Sequence, residues 1–183
     1  MSVLAAPPAE LVDIEDGKQL RRTFGTFATG VTVVTVGGED CRGMTANSFT
    51  AVSLDPPLVL VCVGRDAVMH RSLAHAATFS VSVLAADQEA AARHFANSSR
   101  PAGRGQFETV DWLAGAATGT PLIAGALAHL ECVKERLYDG GDHTIFVGRV
   151  LAAGRTAAAG TPLLFHNGRF GRPATETAED RTP

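Results

Sequence analysis

The feature that most constrains this chain is a succession of short β-branched runs, each closed by a turn signal and few separated by anything long enough to be a helix. Val31-Thr-Val-Val-Thr-Val36 is β-branched throughout and stops at Gly37-Gly38-Glu39-Asp40. Further strands are predicted over 41–46, 48–53 and 58–63, the last preceded by Asp55-Pro56-Pro57, which cannot sit in a central strand. Phe79-Ser-Val-Ser-Val-Leu84 follows, then 127–138, a hairpin turn at Asp139-Gly140-Gly141-Asp142, 143–152, and a short strand over 163–166 before Asn167-Gly168. Strands that do not alternate strictly with helices argue for a mostly β, largely antiparallel barrel or sandwich with helices at its rim. A doubly wound parallel sheet is disfavoured.

Helical signals are few. Asp16 is placed to cap a helix carrying Leu20, Phe24 and Phe27 on one face, with Gly30 as its stop. A short helix is predicted over 68–77, and Asp87 is read as the cap of an Ala-rich helix over 88–96. Residues 1–15 read as a loose N-terminal arm, 16–173 as one domain, and 174–183 as a polar, disordered tail. The 183 residues are enough for one core without disulfides or a structural metal. The net charge is −3, and the basic set is 14 Arg with only Lys18 and Lys134. Scattered arginines on a mildly acidic chain give no electrostatic footprint for nucleic acid or an anionic membrane. Cys41, Cys62 and Cys132 are an odd set in strand-like stretches, read as buried inert thiols in a reducing, cytoplasmic compartment. No signal-peptide pattern opens the chain, and no apolar run approaches the roughly 20 residues of a membrane helix.

Several chemistries lack their motifs. There is no G-x-G-x-x-G after a strand, no Walker lysine (Gly17-Lys18 is followed by Gln19), no H-E-x-x-H and no G-x-S-x-G. His129-Leu130-Glu131 matches the first half of a zinc-deaminase signature, but no P-C-x-x-C follows, and no metal site is expected. His70 and His75 are poorly spaced for a metal, and His94 lies on a polar helix face. Two segments are informative. Arg42 to Thr50 sets a glycine, small side chains, hydroxyls and one carboxamide where two strands meet. Backbone N–H groups there, with Thr45, Asn47 and Ser48, could face a flat, acceptor-rich ligand such as a flavin ring; a polar turn between strands fits as well. Gly140-Gly141-Asp142-His143 fixes His143 at the first residue of a strand, where it could hold a carboxamide or phosphate or simply be a surface histidine steadied by Asp142.

These residues and their order give a family resemblance. From about Leu20 to Gly171 the sequence resembles the short-chain flavin reductases, the reductase components of two-component flavin-dependent monooxygenases. The marks are Phe24 to Val36, Gly43 to Phe49, Ser53-Leu54-Asp55-Pro56-Pro57, Phe79 to Leu84, Gly119-Thr120-Pro121-Leu122, Cys132, the Gly-Asp-His turn with Gly148, and Pro162-Leu163-Leu164-Phe165. The resemblance implies an FMN-binding split β-barrel of Greek-key type and a homodimer. It implies that Thr45, Ala46, Asn47 and Ser48 lie along the isoalloxazine ring. Cys62, Val63, Gly64 and the following helix start, with Met69, should meet the ribityl–phosphate portion, and Phe95 should approach the same ligand. His143 is the candidate catalytic residue, bordering the nicotinamide nucleotide together with Phe165, His166, Asn167, Gly168 and Arg169. Where relatives commonly place hydroxyl residues after Arg65 to hold the flavin phosphate, this chain reads Asp66-Ala67-Val68-Met69.

The implied activity is NAD(P)H:flavin oxidoreduction, with NADH (NADPH being possible) reducing FAD or FMN, and reduced flavin diffusing to a partner monooxygenase. Direct hydride transfer needs positioning rather than an acid or base, which suits a chain without a catalytic constellation. The alternative is a non-catalytic flavin-binding carrier or sensor on the same barrel.

Overall fold

The computed structural model describes residues 11–39, 41–156 and 160–174; most of the predicted 174–183 tail and of the 1–15 arm lies outside these. Twelve strands and three helices follow in the order α1 (Gly17–Gly25), β1 (Thr29–Gly30), β2 (Thr32–Val36), β3 (Arg42–Ala46), β4 (Thr50–Leu54), β5 (Pro57–Gly64), α2 (Val68–His75), β6 (Thr78–Val83), α3 (Glu89–Ala96), β7 (Trp112–Ala114), β8 (Pro121–Ile123), β9 (Ala128–Gly140), β10 (His143–Arg155), β11 (Leu164–His166) and β12 (Arg169–Gly171).

Seven strands form one sheet in the order β3-β2-β6-β9-β10-β5-β4, every neighbouring pair antiparallel. Its two edge strands, β3 and β4, do not pair with each other although only residues 47–49 separate them. The sheet therefore curls on itself and stays open along this seam: a split barrel. Strand β2 explains its own composition, because it is buried on both faces. Val34 and Val36 join Val59, Val61, Val63, Phe79, Val81 and Phe146 inside the barrel. Val31 and Val33 face the other way, into a second cluster with Leu84, Ala92, Phe95, Phe107 and Leu163 that seats α3. A strand buried on both sides gains from β-branched residues at every position, not at alternate ones.

Side chains close the seam where backbone pairing does not. The Ser48 hydroxyl donates to the Cys62 carbonyl (2.8 Å) and accepts from the Cys62 N–H (3.1 Å), tying the β3–β4 link to β5. Replacing Ser48 by alanine strips both groups of their partner and is expected to cost about 1–3 kcal/mol. Chemical denaturation reads this directly; an unchanged midpoint would mean that solvent substitutes fully for the hydroxyl.

The elements depart from the sequence reading in four places. Asp16 does cap α1, its carboxylate accepting from the Lys18 and Gln19 N–H groups, but the helix ends at Gly25 and Gly30 belongs to β1. Asp87 does not cap α3; it lies in a 3-10 turn over Ala86–Gln88, and the Gln88 side chain accepts from the Ala85 N–H instead. The four strands β1, β7, β8 and β12, of two or three residues each, were not foreseen. Finally, Leu127 and Ala152 do not bound the long hairpin: β9 and β10 run thirteen residues each, and the loop between them is only Gly141-Asp142, with Gly141 at φ +76°.

The three cysteines are free, with Cys41 and Cys132 buried. Burial raises the pKa of each thiol, and for Cys132, which also lies beside Glu131, it is pushed up to about 12. All three stay protonated at neutral pH and are poor nucleophiles. Among the described residues no helix is long and apolar enough to cross a membrane.

Candidate nucleotide and flavin site

The end of β5 and the β9–β10 hairpin build the first half of the site. His143, the first residue of β10, pairs with Gly140 on one side and with Gly64 on the other. The imidazole lies over Gly64, its Nε2 at ordinary contact distance, 3.7 Å, from where a Cβ would stand. Arg65 fixes the turn from below. Its Nε donates to the Gly141 carbonyl (2.9 Å), its guanidinium meets Asp139 at 3.0 Å, and its N–H donates to the Asp142 carbonyl (3.0 Å). These bonds tie residues far apart in sequence, so Arg65 is a positioning residue that pattern reading did not single out.

Asp142 sets the tautomer of the histidine. Its Oδ1 lies 2.7 Å from His143 Nδ1, and that hydrogen bond, then the histidine's charge and that of Arg21, lowers its pKa. An ionised carboxylate only accepts, so Nδ1 carries the hydrogen. Nε2 of the neutral ring is then an acceptor, suited to a carboxamide N–H; it donates, to a phosphate for example, only as the imidazolium. The side chain is 46% exposed, so a ligand can reach it.

The β3–β4 link forms the adjoining wall, but its side chains are used differently from the sequence expectation. Thr45 Oγ1 donates to the Ala92 carbonyl of α3 (2.6 Å), and the Ser48 hydroxyl is committed to Cys62. Ala46 is buried in the barrel. Asn47 is exposed. The polar donors that this segment could offer a flat ligand are therefore backbone N–H groups and the Asn47 carboxamide, not three convergent side chains. Phe95 is another correction. It is fully buried, edge-on to His94, and packed so closely on Gly43 that a Cβ there would come within 2.7 Å of its ring. It offers no surface to a ligand and instead shapes β3 from behind.

Past Gly64 the chain enters α2. Ala67 is its N-cap and supplies no side-chain hydrogen bond, so the first-turn N–H groups have no side-chain acceptor and can face an anion. Met69 was placed with the phosphate by its position after Arg65, but it is 2% exposed and belongs to the barrel core with Leu73, one turn on. Val63 is likewise inside the barrel, whereas Cys62 and Gly64 are half-buried.

The β11–β12 hairpin forms a second wall. Asn167 (φ +48°) and Gly168 (φ +75°) make its turn, and the Asn167 N–H donates to the Gly25 carbonyl at the end of α1 (2.8 Å). Phe165 packs edge-on against Phe170, while His166, Asn167, Gly168 and Arg169 are exposed. Two open grooves of about 630 and 610 Å³ flank this hairpin, one against Ala28 and Arg172, the other against Lys18, Arg21 and Arg22 of α1. Arg21 links the two halves, since it lines the second groove and also acts on Asp142. Among the described residues no three His, Cys, Asp or Glu side chains converge on a metal position.

Comparison with known proteins bears on the family and the fold. The flavin reductase like domain model matches residues 24–174. The chain is 64% identical over 181 residues to the NADH-dependent FAD reductase of Streptomyces globisporus, covering 99% of each. The structure of the NADH:FAD oxidoreductase SgcE6 of Streptomyces globisporus in complex with NAD and FAD fragments superposes with a TM-score of 0.87 at 63% identity, over 92% of this chain and 99% of that one. The structure of BorF, the flavin reductase component of a bacterial two-component tryptophan halogenase, gives 0.82 at 55% identity, over 86% and 98%. The chain, a split barrel matched from residue 24 to 174 by this domain and closely alike in sequence and fold to these reductases, belongs to the flavin reductase family.

Proposed function

We infer that the protein is an NADH:flavin oxidoreductase that reduces FAD or FMN and releases the reduced flavin to a partner monooxygenase. The observation that carries this reading is His143, seated over Gly64 with Nδ1 committed to Asp142 and its side chain half-exposed. When both nucleotides are bound, hydride passes from the nicotinamide C4 to the flavin N5, leaving NAD⁺, and a proton from solvent completes the reduced flavin. The protein's part is positional. Nε2 of His143 hydrogen-bonds the carboxamide and turns the nicotinamide face toward the flavin; Arg65 holds the hairpin that carries it. Backbone N–H groups of 45–48 and the Asn47 carboxamide meet the acceptor edge of the ring, where charge develops as it is reduced. The high identity to a relative named for NADH and FAD favours that pair of nucleotides over NADPH and FMN.

Flavin behaves as an exchanging substrate in this reading. Asp66 and Ala67 add no donor at the start of α2, and Met69 points into the core, so backbone amides alone meet the phosphate. Charge-assisted bonds contribute roughly 1.5–3 kcal/mol each, and lacking them weakens retention by at least about tenfold. The purified protein is expected to be nearly colourless after dialysis and to follow sequential kinetics. A yellow protein that keeps its flavin and does not turn over NADH would favour a carrier or sensor instead.

A homodimer and a cytoplasmic setting belong to the same reading. Among the described residues nothing covers Phe24 of α1 or Phe27 just beyond it, which are 67% and 76% exposed, and a second subunit is the natural cover. Three cysteines outside any disulfide suit a reducing compartment.

A further inference from the structure

An open groove of about 660 Å³ lies between the outer end of β3 and the length of α2, away from His143 and the β11–β12 hairpin. Arg42, Arg71, Ser72 and His75 line it, with Glu39 as the single carboxylate among its lining residues and Val68, the first residue of α2, at one end. Among the described residues the buried Arg42 Nε has no hydrogen-bond partner, and Arg42 forms no ion pair with any of them. A second guanidinium, Arg100, lies close enough for repulsion: burial first, and then Arg42, lower its pKa. Arg100 spends its own donors on the Gly43 and Asn97 carbonyls. Two guanidiniums in proximity, one with an orphaned buried N–H, form a site that an anion would complete.

The groove also has a place for a planar group. His75 Nδ1 donates to the Arg71 carbonyl (2.8 Å), which holds the exposed imidazole one turn beyond Arg71. From Val68 to His75 the helix rises about 10 Å, a span that an extended nucleotide fills. Position selects between the two nucleotides. Val68 follows directly on the uncapped start of α2, to which the flavin phosphate is assigned, so the groove continues the path assigned to the flavin.

We propose that this groove binds the adenosine 5′-phosphate half of a dinucleotide, that FAD is its source, and that Arg42 and Arg71 thereby set a preference for FAD over FMN. The proposal rests on the flavin reductase reading. Arg42 and Arg71 meet the adenylate phosphate, and His75 lies against the adenine face.

The test compares Kd values for FAD, FMN, ADP and NADH, by isothermal titration and flavin fluorescence, for the wild-type protein, Arg42→Gln and Arg71→Gln, with circular dichroism to verify folding. The expected result is that each substitution weakens FAD binding by about tenfold while the Kd for FMN moves less than twofold. ADP should compete with FAD but not with FMN on the wild-type protein. Equal weakening for FAD and FMN would place the first flavin phosphate, not the adenylate, at Arg42 and overturn the proposal. An unchanged FAD-to-FMN ratio with a raised Kd for NADH would make NADH the source and overturn it too. If Arg42→Gln does not fold, Arg71→Gln and the ADP competition decide alone. Steady-state NADH oxidation separates the two levels: wild-type turnover with an unchanged ratio removes only the groove, whereas a protein that reduces no flavin removes both readings.

Discussion

His143→Ala is expected to raise the KM for NADH or lower kcat so that kcat/KM for NADH falls about 5–150-fold, the equivalent of roughly 1–3 kcal/mol of lost hydrogen bonding. The fold should be indifferent. The residue stands at the exposed start of β10 between two glycines, and its only described side-chain bond is to Asp142, itself at the surface. Thermal stability should therefore stay within about 0.5 kcal/mol of wild type. KM for flavin should change little, because the ring's acceptors are met from 45–48. Kinetics within twofold of wild type would reduce His143 to a turn residue.

Gly148→Ala is expected to have the opposite profile, a loss of stability with no direct contact to the site. Gly148 lies in β10 beside a bulge, opposite Val59 of β5. A Cβ there would stand 2.6 Å from Phe79 Cε1 and 3.0 Å from Cys132 Cβ. Phe79 and Cys132 are both fully buried in the barrel, so neither ring nor thiol has free space to move into. Forcing one methyl into such a core costs about 1–3 kcal/mol, or roughly 2–12 °C in Tm for a domain of this size. A melting temperature equal to wild type would mean that the β10 bulge absorbs the methyl by shifting register.

Much of this fold was legible because the strands announce themselves. The run 31–36 is β-branched at every position, and the structure shows why: both faces of β2 are buried. The hairpin at Gly141-Asp142 and the turn at Asn167-Gly168 were visible from their glycines, which hold φ of +76° and +75°. Strands of two or three residues, such as β1 and β7, carry too short a period to be read. Asp87 looked like a cap, but a 3-10 turn intervened and Gln88 took the role of bonding the turn.

The site was legible in outline and less so in its side chains. His143 was placed at a strand start and is there, over Gly64. That the Thr45 hydroxyl would turn to the Ala92 carbonyl, 47 residues on, depends on where α3 packs, which no local pattern states. The same holds for Arg65, whose partner carbonyl at Gly141 is 76 residues away. Met69 could have been caught: with Leu73 it makes an apolar i, i+4 pair on a short helix, which marks a buried face.

Steady-state NADH oxidation by the purified protein, measured at 340 nm with NADH and NADPH against riboflavin, FMN and FAD, tests the central claim most directly. Oxidation well above the rate in buffer is predicted, dependent on added free flavin, faster with NADH than NADPH and with the highest kcat/KM for FAD. A protein that binds these flavins but consumes NADH no faster than buffer would contradict it.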